Sequence, residues 1–185
     1  MQLSELLLIA VGLAADAFAV SVSNGLAMCR LRLYDALKFG LFFGIFQMLM
    51  PLIGWAAGRL FSDYVMAFDH WVAFVLLGYI GLKMVLDAVR GEGEACSGDT
   101  GFKTMLILAI ATSIDALAAG VTFAFMKMNI IFAISVIGGI TFCLSALGVL
   151  IGKRAGEKLG GKAQLIGGLL LIAMGVKILI EHLFF

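Results

Sequence analysis

The chain has 185 residues and a formal net charge of +1; it is 63% hydrophobic, has a mean hydropathy of +1.12 and carries 14% charged residues, far below the roughly 25% of a soluble domain. This is the composition of an all-α integral membrane protein in a lipid bilayer, and without a basic block it gives nucleic-acid binding no electrostatic footing. Cys29, Cys96 and Cys143 are odd in number and lack C-x-x-C spacing, so neither a disulfide framework nor a zinc site is expected.

A membrane span needs about 20 mostly apolar residues, and six windows qualify: 3–25, 36–58, 71–89, 103–125, 129–151 and 164–184. The first begins almost at Met1, with Glu5 in place of a basic n-region and no A-x-A-like site just beyond it, so it is expected to be a retained span. Asp16 lies in its middle, within AADAFAVSVS. A carboxylate at that depth costs roughly 2.5 to 3.5 kcal/mol by insertion scales and generally marks an ion or substrate pathway. The second window is interrupted by Gln47 and holds the only proline, Pro51, whose missing N–H frees carbonyls near Phe46 and Gln47 to bend or to ligate. Lys83 and Asp87 form an i, i+4 pair late in the third window.

The polar stretch GEGEACSGDTG, within 91–102, then reads as a cytoplasmic linker between two halves, 1–90 and 103–185. The fourth window carries Asp115 in TSIDALAAGVT, with Thr112, Ser113 and Thr122 on or near the same stripe. Thr141 lies in the fifth, in register with Gln47 of the second. The sixth ends on a second i, i+4 pair, Lys177 and Glu181. His70 and His182 fall at span ends, where an interfacial position accounts for them.

The halves match in order. At a shift of 99, Asp16 falls on Asp115, Ala17 on Ala116 and Val22 on Val121; at a shift of 94, Gly54 falls on Gly148, Gly58 on Gly152, Lys83 on Lys177 and Asp87 on Glu181. Three spans are an odd number, so the second copy enters the membrane from the other side. The expected fold is six transmembrane helices as two inverted three-helix repeats, with equivalent groups near the midplane. Nine basic residues (Arg30, Arg32, Lys38, Arg90, Lys103, Lys153, Arg154, Lys158 and Lys162) border one side against Arg59 and Lys127 on the other. The positive-inside rule then puts both termini outside.

Small residues around both aspartates allow close helix approach, so the carboxylates are expected to face one shared cavity. Two hard anions with the oxygens of Thr112, Ser113, Gln47 and Thr141 suit Mg²⁺, Ca²⁺ or Mn²⁺ better than thiolate- or imidazole-seeking metals. Lys83–Asp87 and Lys177–Glu181 would be alternate gates, or simply ion pairs snorkelling to the interfaces. No nucleotide-binding signature is present, so a secondary carrier is expected, with protons traded for metal at the paired carboxylates. Two other classes use the same aspartates. An intramembrane aspartyl protease would want YD and GxGD surroundings, which Ala15-Asp16 and Ile114-Asp115 do not supply. A LysE-like solute exporter would want a fixed cation beside the carboxylates, and no Lys or Arg is expected centrally. A purely structural role, two hydrogen-bonded aspartates gluing helices together, is the alternative to all three.

The stretches GLAADAFAVSVSNG, GIFQMLMPLIGW, HWVAFVLLGYIGLKM and AIATSIDALAAGVTFAF, in this order, resemble the MntP-type manganese efflux pumps of bacteria over nearly the whole chain. That resemblance implies export of Mn²⁺ as transported substrate across the bacterial inner membrane, with no cofactor, and gives the essential carboxylate role to Asp16 and Asp115. The chain departs from the family pattern at Ala14 and Ala15, where members often carry Ser before the first Asp, and at Gln47, where some carry an acid. Nothing in the sequence points to a particular oligomer.

Overall fold

The structure is a computed structural model. It describes residues 3–28, 33–60, 102–126, 129–159 and 162–184, with 75, 78–83, 85, 86 and 89 of the third window. Asp87, the side chain of Glu181, residues 90–101 with most of the linker, His70, Cys29 and Cys96 lie outside the described residues.

Among the described residues the chain is helical except at Met28, Ser113, Met126 and Asn129. The helices are α1 (Leu3–Ala27), α2 (Leu33–Leu60), α3 (Phe102–Thr112), α4 (Ile114–Phe125), α5 (Ile130–Leu159) and α6 (Ala163–Phe184). Three of them, α1, α2 and α5, are long and apolar enough to cross a membrane, and a fourth crossing is complete if α3 and α4, bent by 42° at Ser113, count as one span. The fourth window was expected as a single helix, and it is broken. Thr112 and Ser113 explain the break: their hydroxyls turn back onto the carbonyls of Leu108 and Ala109, competing with the backbone ladder at that point. Pro51 lies inside α2, which continues past it. A proline cannot give an N–H to the carbonyl four residues back, so Gln47 O lacks its usual helical donor. Asn129 starts α5 by accepting from the N–H groups of Ile131 and Phe132, satisfying two of the donors a helix start leaves open.

Glycines decide which helices touch. A Cβ on Gly148 would stand 2.8 Å from Phe18 O, and Cβ atoms on Gly152 and Gly156 would run into Val22 and Leu26. These contacts rise together in both numbers, so α1 and α5 are parallel. Gly54 meets Leu117, Gly58 meets Val121 and Gly120 meets Pro51 in the same manner, so α2 and α4 are parallel. Gly40 faces Phe142 and Gly44 faces Gly138, which makes α2 and α5 antiparallel. Lipid gives helices no hydrophobic reason to associate, so backbone approach of this kind is what holds such a bundle together. On the outside, α6 lies against α1, tied by Ser23 Oγ donating to Gly167 O at 2.6 Å.

Candidate functional site

Two apolar clusters fill the interior, and a polar layer separates them. One holds Ala17, Val20, Phe39, Phe43, Met105, Leu108, Ala109 and Val149. The other holds Leu6, Ala10, Phe123, Ile130, Ala133, Ile134 and Ile137. Each helix that passes from one cluster to the other changes character at the crossing: Asp16 in α1, Gln47 in α2, Thr112 to Asp115 across the α3–α4 break, and Thr141 with Ser145 in α5. Every sequence-predicted oxygen ligand thus falls in one stratum of the bundle.

The two aspartates are held differently. Asp16 sits on an unbroken helix, its side chain 14% exposed, with Lys177 Nζ of α6 at 3.5 Å from Oδ1. Asp115 sits in the first turn of α4, where Ala116 N–H donates to its Oδ1 at 2.8 Å. A helix start presents free N–H groups and the positive end of the peptide dipoles, so it favours an anion. Asp115 lies within electrostatic reach of both Asp16 and Lys177. The expectation of no central cation therefore does not hold: an ammonium stands beside one of the carboxylates. Residue 177 is only a few positions past the middle of α6, and its depth was the signal available in the sequence.

At the break the backbone ladder is rearranged. Ser113 N–H bonds Ile110 O, three residues back, at 3.1 Å, and Leu117 N–H resumes on Ser113 O at 3.3 Å. Because Ala116 N–H is turned to Asp115, the carbonyl of Thr112 loses the donor a continuous helix would give it. Gln47 and Thr141 are both fully buried. Gln47 Nε2 donates to Leu13 O at 3.0 Å, whereas Gln47 Oε1 and Thr141 Oγ1 have no hydrogen-bond partner among the described residues. Buried polar atoms are nearly always partnered, so unmet oxygens in the layer that carries both carboxylates call for an explanation. Lys83 is exposed and helical.

The profile of the Mntp family, described as "Putative manganese efflux pump", matches residues 30–179. The chain belongs to this family. Curated relatives bearing the same description include one from Desulfitobacterium hafniense, 54% identical over 181 residues with 98% of this chain and 96% of the relative covered. Another, from Mannheimia succiniciproducens, is 51% identical over 187 residues with both chains covered completely. A third, from Clostridium perfringens, is 47% identical over 204 residues with 98% and 96% covered. No solved structure matches the chain. The family is one of transporters, not of enzymes, and with its long apolar helices the chain is a membrane protein.

Proposed function

We propose that the chain exports Mn²⁺ from the cytoplasm as a secondary carrier, binding one ion between Asp16 and Asp115 in the polar layer. The observation that carries this reading is the convergence, in one stratum between two apolar clusters, of both intramembrane aspartates and three buried oxygens without a partner among the described residues, Gln47 Oε1, Thr141 Oγ1 and Ser145 Oγ. Among the described residues no three His, Cys, Asp or Glu side chains group together. A dication here would draw on two carboxylates and complete its shell with neutral oxygens: Gln47 Oε1, the hydroxyls of Thr112, Ser113 and Thr141, and the released Thr112 carbonyl. Such a set suits a hard or borderline ion.

The carrier would be two inverted three-helix repeats rocking about this layer. Supporting this, members of the two clusters correspond under the sequence shifts: Leu6 with Met105 and Ala10 with Ala109 at 99, Phe39 with Ala133 and Phe43 with Ile137 at 94. The contacts correspond as well, Phe18–Gly148 with Leu117–Gly54 and Val22–Gly152 with Val121–Gly58. Both termini would face outward at the inner membrane, with protons exchanged for metal and with Lys83–Asp87 and Lys177–Glu181 as gate pairs.

The test is Mn²⁺ efflux from loaded proteoliposomes under an imposed pH gradient. Asp16→Asn and Asp115→Asn are each expected to cut the rate about a hundredfold or more, the scale of removing one charged partner from a buried pair. A variant that still exports at the wild-type rate would remove its aspartate from the site, and flux indifferent to the gradient would remove proton exchange. The Lys177 ammonium beside Asp16 also fits a zwitterionic cargo. Competition of Mn²⁺ efflux by amino acids would favour that second reading.

A further inference from the structure

Between transport cycles the polar layer holds two carboxylates and no cargo, among side chains that offer little solvation. Like charges at such depth are costly unless something balances them. Helix α6 reaches across to supply the balance: Lys177 Nζ stands 3.5 Å from Asp16 Oδ1 although Lys177 is half-exposed. A lysine with an open route to the lipid interface would snorkel there, but this one is directed inward to a carboxylate. The distance is longer than the roughly 2.7–2.9 Å of a tight charge-assisted hydrogen bond, so the pair is loosely made. An ammonium is also a point charge on a flexible stem, easier to displace than a guanidinium fork.

We propose that Lys177 is a built-in competitor for the transported dication, occupying Asp16 when cargo is absent and withdrawing when cargo binds. The inference rests on the reading that Asp16 and Asp115 hold the ion. The same carboxylate oxygen cannot serve an ammonium and a metal at once, and a dication brought next to the ammonium is repelled by it. The empty carrier then reorients with one carboxylate screened, and the loaded carrier with both neutralised by the cargo. One lysine would thereby set both how tightly the ion is held and how readily the empty site returns.

Mn²⁺ binding by the full chain in detergent, measured by titration calorimetry, and Mn²⁺ efflux in proteoliposomes test this together. Lys177→Met is expected to bind Mn²⁺ roughly five- to tenfold more tightly, the size of a modest coupling between charged sites, and yet to turn over more slowly. Lys177→Arg keeps the charge and is expected to bind within about twofold of wild type. Tighter binding joined to slower turnover is a split that a merely structural lysine would not produce. Should Lys177→Met not purify as a monodisperse species, Lys177→Gln carries the same expectation. Neutral variants that bind no more tightly than wild type overturn the competitor role while leaving the site intact. Wild-type binding by Asp16→Asn overturns the site itself, and the competitor with it.

Discussion

The two glycine seams follow one plan and differ at one crossing. Along α2 and α4, Gly120 packs so tightly on Pro51 that an added Cβ would collide with that residue's backbone. In the alignment of the halves the corresponding pair on α1 and α5 is Ser21 and Ser145, both hydroxyls buried without a hydrogen-bond partner among the described residues. The carboxylates differ as well: Asp115 rides on α4 just after a 42° break, and Asp16 on the unbroken helix α1. One side is locked by a glycine against a proline and releases backbone groups at its break, and the other keeps an unbroken helix and borrows a lysine.

The largest effect that would test this contrast is on stability. Gly120→Ala is expected to cost about 3 kcal/mol, the upper range for overpacking, because neither the Pro51 ring nor its backbone can yield. Gly148→Ala places its methyl 2.8 Å from Phe18 O and 3.0 Å from Ser21 Cβ, and is expected to cost about 1 kcal/mol. Thermal unfolding of the two variants in the same detergent reads the difference. Equal losses would mean that the Gly120–Pro51 crossing is no more tightly closed than the Gly148–Phe18 crossing.

A smaller effect separates the hydroxyls. Ser113 Oγ donates to Ala109 O at 2.6 Å, so Ser113→Ala should lose about 1 kcal/mol and relax the break. Ser21 Oγ has no partner among the described residues, so Ser21→Ala should cost nothing or stabilise slightly, since a buried hydroxyl without a bond is a penalty. The same thermal measurement decides it, and a Ser21→Ala loss as large as that of Ser113→Ala would show that the hydroxyl is partnered after all.

The helices α1, α2 and α5 and the broken crossing α3–α4 were legible because apolar length fixes them before any packing, and the place of Asp16 and Asp115 between the two apolar clusters because residue position fixes it. Gln47, Thr112, Ser113 and Thr141 were legible for a related reason: a polar residue at mid-span has few places to go. The break at Ser113 was not. In water Thr-Ser is an unremarkable helical pair, and only the competition of two adjacent hydroxyls for carbonyls one turn back, 2.6 and 3.0 Å away, reveals it. The contact of Lys177 with Asp16 was not legible, because the i, i+4 spacing to Glu181 is a local signal, whereas that contact joins residues at opposite ends of the chain. No periodicity carries that information; it comes from α6 packing on α1.

The smallest expected effect lies on α5, where adjacent glycines face different surroundings. A Cβ on Gly139 meets nothing within 4 Å, so Gly139→Ala should gain about 0.5–1 kcal/mol from helix propensity alone. A Cβ on Gly138 meets the Met48 side chain, including Sδ at 2.6 Å. Methionine adapts by changing rotamer, so Gly138→Ala should come out near zero, its propensity gain offset by the displaced thioether. Met48 adjoins Gln47 in α2, so its movement also reports on the polar layer. If Gly138→Ala leaves thermal stability unchanged but weakens Mn²⁺ binding, the thioether is helping to hold Gln47 in place; if both stay level, the layer is positioned by the Gln47–Leu13 hydrogen bond without help from its neighbour.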